Sequence, residues 1–423
     1  MFASLGNALK VKELRNKVLF VFAMIAVYRI GAHIPVPGVD VSKFTKLMEG
    51  GILGFLDMFA GGALRRFTIF AMSISPYITA SIILQLLTVV IPKLEELSRS
   101  GPEGRKKIAQ YTRYGTVILA LIQALGITFW LRNLGAITNP NFFNMFTIII
   151  TLTAGTAFLM WLGEQITDKG IGNGISILIF ASIVSRFPTA VIDTVYKLMP
   201  GSKSSLSILN VLLFLVLALL IVAAVIYIQQ GERRIPVQYS RRVVGRRVYG
   251  GRNTHIPMKV NQAGVIPVIF ASSVLMFPAT IFRFLPWDWA RTIADALDPS
   301  LASFWYLSFY ALLIVLFTYF YTAITFNPIE VADNLKKYGG FIPGLRPGRP
   351  TTQYLEKVLS RITLSGALFL AAIAIVPYIL QAITGIGIRF GGTSLLIVTG
   401  VALETMKQIE SYLLMRHYEG FLK

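Results

Sequence analysis

FTIFAMSISPYITASIILQLLTVVIP (67–92) carries no charged side chain and is long enough to cross a lipid bilayer. A crossing helix needs about 20 predominantly apolar residues. Yet this stretch also holds Ser73, Ser75, Pro76, Thr79, Ser81, Gln85 and Thr88. Any one of them serves as ordinary packing glue between helices, but a lipid-facing helix has no use for the whole set. Membrane length combined with a polar, uncharged interior points to a pathway between helices.

Working outward, windows of the same kind recur at 114–131, 133–163, 170–185, 204–231, 260–282, 299–329 and 362–388. The 423 residues are 55% hydrophobic and only 14% charged, more apolar surface than a soluble domain of this size can hide. Lys10, Lys12, Arg15 and Lys17 precede an apolar run from Val18, superficially like a signal peptide. The run continues past Arg29 to Pro35 without a small-residue cleavage site, so it is expected to be a retained first span. With a last span at 392–415, an all-α polytopic membrane protein is expected. Its spans are placed near 18–34, 67–91, 114–131, 143–163, 171–190, 207–229, 260–282, 303–326, 362–384 and 392–415.

An even number of spans puts both termini on one side. Most of the 40 Lys and Arg fall on that side, which the positive-inside rule makes cytoplasmic. The cytoplasmic segments are then 92–113, 164–170, 230–259 and 327–361. The long connection of spans 1–5 lies outside (35–66), and that of spans 6–10 lies inside (230–259). A five-span repeat must invert in its second copy, so the pattern fits two inverted halves, 1–200 and 201–423. Ten helices of unrelated origin are the alternative.

Residues 51–66, GILGFLDMFAGGALRR, form an apolar segment too short to cross. A small helix bearing Ile52, Leu53, Phe55, Leu56, Met58 and Phe59 either dips into a cavity or lies on the outer leaflet. Ile78 and Ile82 share a helix face by their i, i+4 spacing, as do Ile179 and Ile183. By periodicity alone such pairs are core or lipid-facing, and Ile269 and Ile397 carry no distinguishing pattern. GIGNG (170–174) is not a phosphate-binding fingerprint and reads as a tight turn opening span 5.

Chemistry is bounded by absences from the sequence. There is no cysteine and there are three histidines, all near span ends or in loops, so neither a thiolate nor a His-built metal site is expected. No nucleophile–base pairing suggests hydrolysis, and no enzyme activity, cofactor or DNA partner is expected. Spans 2–9 lack an internal carboxylate, whereas ion-coupled transporters usually carry one. That favours a pore without its own fuel over an inverted-repeat secondary transporter of a small solute.

The two long inner loops read as docking surfaces. Arg233, Arg234, Arg241, Arg242, Arg246, Arg247 and Arg252 face a single acid, Glu232, in the first. Lys336, Lys337, Arg346 and Arg349 lie among Gly and Pro in the second. Topology and anionic lipid account for small basic loops. Loops of this length with Arg doublets suit an acidic protein or ribosomal RNA.

Several segments together closely resemble the SecY family, the central subunits of bacterial protein-translocation channels. They are GGALRRFTIFAMSISPYITASIILQLLTVV (61–90), GPEGRKKIAQYTRYGT (101–116), GIGNGISILIFASIV (170–184), QQGERRIPVQYSRR (229–242), VNQAGVIPVIFASSVLMFPATI (260–281) and NPIEVADNLKKYGGFIPGLRPG (327–348). The resemblance implies ten helices in two inverted halves around an hourglass pore for unfolded polypeptides. It implies a constriction ring at Ile78, Ile82, Ile179, Ile183, Ile269 and Ile397, and a plug at roughly 52–62. It implies a lateral gate between spans 2–3 and 7–8, with polar contacts near Thr88, Gln123 and Asn261, where signal sequences leave for lipid. It also implies a SecE and SecG heterotrimer in the bacterial plasma membrane, and the SecA ATPase or a ribosome on the inner loops, with Arg346 at the sensitive tip.

Overall fold

The computed structural model describes residues 11–42, 57, 60–198, 208–239, 242–244, 247–249, 253–284, 287–298, 301, 303–384 and 392–421. The apolar windows fold as helices. The first half carries α1 (Lys12–Gly31), α2 (Ser75–Val90), α3 (Pro92–Arg99), α4 (Pro102–Asn133), α5 (Phe142–Lys169), α6 (Gly174–Val184) and α7 (Phe187–Leu198). After α8 (Ile208–Gln230) come strands β1 (Glu232–Tyr239), β2 (Arg242–Val244), β3 (Arg247–Tyr249) and β4 (Asn253–Lys259). The rest is α9 (Ile266–Phe284), α10 (Asp288–Ala296), α11 (Phe304–Thr325), α12 (Pro328–Lys337), β5 (Gly340–Phe341), α13 (Arg349–Thr384) and α14 (Gly392–Phe421).

Every expected span overlaps a helix, but the lengths differ. Among the described residues six helical runs are long and apolar enough to cross a membrane: Pro102–Asn133, Phe142–Lys169, Gly174–Tyr196, Ile208–Gln230, Phe304–Lys337 and Arg349–Ile379. The pair α2 and α3, bent by 101°, makes a seventh if it is one broken span. The second span begins later than expected. Residues 67–74 form turns, with Phe67 (φ 43°) and Ser73 (φ 53°) in the left-handed region, and the helix starts only where Pro76 occupies its first turn. The fifth span is broken at Ser185–Arg186, just before Phe187–Pro188 opens α7.

Helix contacts follow a repeating scheme. In the first half α1 packs on α5 and α6, α4 on α2 and α5, and α5 also on α2 and α6. The corresponding helices of the second half make the same pairings. There α8 packs on α13 and α14, α11 on α9 and α13, and α13 also on α9 and α14, with one added contact between α9 and α14. Two seams join the halves: α6 against α14, and α9 against α2 and α4. One continuous buried core runs through both halves, from Tyr28 to Val401.

Close approach inside the first half depends on missing side chains. A Cβ on Gly174 would lie 1.9 Å from the Gly163 carbonyl oxygen, and one on Gly155 would lie 1.9 Å from that of Ile69. The GIGNG turn behaves as its composition predicts. Gly172 takes a positive φ of 86°, and Asn173 Oδ1 accepts from the amides of Ile175 (3.1 Å) and Ser176 (3.3 Å), capping α6.

The two long basic loops correct the all-helical expectation, since the chain is mostly rather than wholly α. They are also one unit instead of two separate surfaces. Strand β1 pairs antiparallel with β4 from Glu232↔Lys259 to Gln238↔Asn253, and with β5 of the second loop at Gln238↔Phe341. Alternation places Ile235 and Val237 on the buried face. They pack with Met258, Ala332, Leu335, Ile342, Leu355 and Val358 into a core of their own. Pro236 is tolerated because β5 covers only the end of β1, leaving that edge open where the proline stands.

Candidate functional site

The six isoleucines come from four helices: Ile78 and Ile82 from α2, Ile179 and Ile183 from α6, Ile269 from α9, and Ile397 from α14. None faces outward. Their exposures are 9%, 3%, 3%, 0%, 6% and 0%, and all six belong to the same buried core. The four helices also form a connected series, α2 against α9, α9 against α14, and α14 against α6, with α5 touching both ends. The four helices thus link the first half to the second through both seams.

The uncharged hydroxyls have a more ordinary use than a pathway. Thr79, Thr116, Thr128, Thr153, Thr318 and Thr322 each donate to a carbonyl one turn back in their own helix, at 2.6–3.1 Å. They satisfy themselves within the bundle, so their abundance alone does not mark a conduit. Ser182 is different, because it also reaches Tyr28 on another helix.

The expected plug positions Ile52, Leu53, Phe55, Leu56, Met58 and Phe59 lie outside the described residues. The chain emerging from that segment is held firmly. Asp57 is buried, and its carboxylate accepts from the Arg65 amide at 2.8 Å. Its other oxygen stands 2.9 Å from Arg186 Nη1, an ion pair by distance though too poorly aligned for a hydrogen bond. Next in line, the Ala60 carbonyl accepts from the Tyr28 hydroxyl at 3.2 Å, which also lies 2.6 Å from Ser182 Oγ. The Gly61 carbonyl accepts from Arg29 Nη1 at 3.3 Å, and the same nitrogen donates to Ser185 Oγ at 2.9 Å. Strand-like pairing of Pro35 with Thr68 then ties the outer connection down.

Sequence reading missed this polar group. A signal was available: Asp57 is the one acid in the apolar stretch 51–64, and Arg186 directly follows an uncharged window. An ionisable residue isolated in apolar sequence needs a partner.

The three expected gate residues come from separate places: Thr88 from α2, Gln123 from α4 and Asn261 from the turn before α9. Gly115 of α4 abuts Ala80 of α2, since a Cβ there would sit 3.6 Å from the Ala80 Cβ. Thr88 donates to the Gln85 carbonyl (2.7 Å), and Asn261 donates to that of Gly264 (2.9 Å). Asn261 is buried in a turn packed on Gly366 of α13, with its Oδ1 lacking a hydrogen-bond partner.

Of the basic docking positions, Arg233, Arg234, Lys336, Lys337 and Arg346 are exposed. Arg234 pairs locally with Glu232 at 2.7 Å, and Lys336 and Lys337 sit in the last turn of α12, where cations favour the helix end. Arg346 stands between Gly344 (φ 82°) and Gly348 (φ 102°), and its carbonyl accepts from Thr351 Oγ1 at 2.9 Å. The backbones of Arg242 and Arg247 pair within the β2–β3 ladder, whereas Arg241 and Arg246 lie outside the described residues.

Residues 68–406 match the SecY family profile. The chain belongs to the SecY family. It is 50% identical over 445 residues to the protein translocase subunit SecY of Streptomyces griseus, covering 100% of both chains. It is 48% identical over 422 residues to that of Escherichia coli (strain K12), covering 97% of this chain and 94% of the other. The SecY fold also appears in solved structures. A protein-conducting channel superposes with a TM-score of 0.68 at 20% identity, over 93% of this chain and 91% of that one. A SecY protein whose plug domain stabilises the closed state of the translocation channel and maintains a membrane seal gives 0.63 at 21% identity, over the same shares. SecY relatives and apolar helices together make this a multi-pass membrane protein.

Proposed function

We propose that this chain is the protein-conducting subunit of a translocase, passing unfolded secretory polypeptides between its two halves and releasing apolar segments sideways into lipid. The observation that carries it is the burial of six isoleucines from four helices in one core where both halves meet. A narrow aliphatic neck disfavours a continuous water thread, so ions are held back by dewetting. Isoleucine offers a sliding polypeptide no hydrogen bond, so the same residues grip without selecting sequence. Partition then decides the route. A central charged residue costs about 2.5–3.5 kcal/mol on insertion, so apolar segments leave for lipid and polar ones continue across.

In this reading ten spans form halves 1–200 and 201–423, and their hourglass is closed at the ring and stoppered by 52–62. The recurring helix pairings support the division. The seam of α9 with α2 and α4 is the side that opens to lipid, while α6 against α14 holds the halves together. SecE and SecG complete the complex in a bacterial plasma membrane, with both termini cytoplasmic. SecA or a ribosome supplies the work at the β1–α12 unit, and the chain itself is neither an enzyme nor a cofactor carrier. Family membership does not favour a small-solute transporter.

The deciding experiment is deletion of 52–62 followed by conductance measurement in planar bilayers. Resting ion leak is expected to rise, and unchanged conductance would remove the plug. Polar replacement at Ile397 or Ile82 is expected to admit defective signal sequences, and their normal rejection would remove the ring.

A further inference from the structure

We propose that Asp57, Arg186, Arg29, Tyr28 and Ser182 form an ionic clasp that docks the end of the plug segment on the broken fifth span and sets how readily it leaves. The inference rests on the reading of 52–62 as a plug but concerns residues that neither the ring nor the gate uses.

The break between α6 and α7 matters first. There Arg186 pairs with Asp57, and Ser185 Oγ accepts from Arg29, which also donates to the Gly61 carbonyl. Burial matters second. The Asp57 side chain is 3% exposed and that of Arg186 is 20% exposed. A carboxylate so enclosed is retained only with compensating partners, and removal of one partner leaves a buried, uncompensated charge. Asp57 has two, the Arg65 amide and the Arg186 guanidinium.

Fit matters third. Gly61 holds φ at 62°, and a Cβ there would come within 3.1 Å of Ser182 Cα and 3.2 Å of Ser185 Oγ. Gly61 lies close on α6, near enough for Arg29 to bridge its carbonyl and Ser185 at once. Apart from the Arg65 amide, which lies on the same connection, every contact ends on α1, α6 or the α6–α7 break. The clasp is therefore internal to the first half and does not need the seams to be shut. Opening the seams and releasing the segment become separate events, and the positioning residues control only the second.

The chain has no cysteine, so one engineered pair reports docking directly. Gly61→Cys with Ser185→Cys places the sulfurs at bonding range, and its oxidation rate is read in membrane vesicles of the assembled complex. Adding Asp57→Asn or Arg186→Gln is expected to slow disulfide formation about tenfold, the scale of one lost charge-assisted contact. The swap Asp57→Arg with Arg186→Asp is expected to restore most of the rate, which a fold defect would not. An unchanged rate in Asp57→Asn, or no recovery in the swap, would overturn the clasp. Resting conductance of the same variants without the cysteines separates the two readings. Slower docking with raised leak supports both. Slower docking with no change in leak keeps the clasp and discards the seal at 52–62.

Discussion

The two halves share a scheme of helix pairings, yet they treat their long connections in opposite ways. In the first half, residues beyond α1 are drawn back onto α1 and α6 through Asp57, Ala60 and Gly61. In the second, the segment beyond α8 leaves the bundle, pairs with the loop after α12 and builds a separate core. The helices of a half can thus stay constant while the connection either docks back on them or folds as a separate handle. A connection held by polar contacts is releasable one bond at a time. One held by an apolar core stays folded or falls apart as a unit.

The sharpest way to break this comparison is through the close-packed glycines of the equivalent helices α6 and α14. Gly174→Ala drives a Cβ against backbone, the Gly163 carbonyl, which has no freedom to yield. A loss at or above the top of the usual ~1–3 kcal/mol for overpacking is expected, read as failure of folded protein to accumulate in membranes. Next in size, Leu355→Ala empties a fully buried site of the handle. About 2–5 kcal/mol should be lost, with protease cutting of 231–259 while the membrane core stays resistant. Accelerated cutting inside α2 or α5 would show that the two cores are not independent.

Smaller effects sharpen the picture. Gly400→Ala meets side chains rather than backbone, Val265 Cγ1 and the Gln229 amide nitrogen, and these have more freedom to shift than a carbonyl. Its cost should stay near ~1 kcal/mol, seen as a slight drop in melting temperature in detergent. Equal damage from Gly174→Ala and Gly400→Ala would deny the difference between the halves. The Arg113–Glu164 pair joins α4 to α5 at 2.7 Å, with side chains 50% and 23% exposed. Glu164→Gln should cost at most ~1 kcal/mol, fading with added salt.

The helices were legible in the sequence because an uncharged window of membrane length has few other uses. Their ends were not. Charged flanks such as 102–113 and 164–169 hid the extensions of α4 and α5, since helical backbone continues beyond lipid wherever propensity allows. The left-handed turns at Phe67 and Ser73 hid the late start of α2. Ile78, Ile82, Ile179 and Ile183 showed as face-sharing pairs, whereas Ile269 and Ile397 carried no pattern, because burial between distant helices leaves no periodic trace. The inner loops were read by charge alone. The alternation of Ile235 and Val237 between polar neighbours was present in the text and was outweighed by the arginines around it.

One further consequence belongs to α13. It begins at Arg349, beside the Arg346 tip, and continues without interruption to Pro377 deep in the bundle. That stretch is a rod about 42 Å long, longer than the roughly 30 Å hydrocarbon layer. Anchored in the handle by Leu355 and Val358 and in the bundle by Leu370 and Ala374, it makes a lever with its fulcrum near the lipid boundary. A push that tilts the handle by roughly 5° about that fulcrum would swing the distant end, roughly 25 Å away, by about 2 Å.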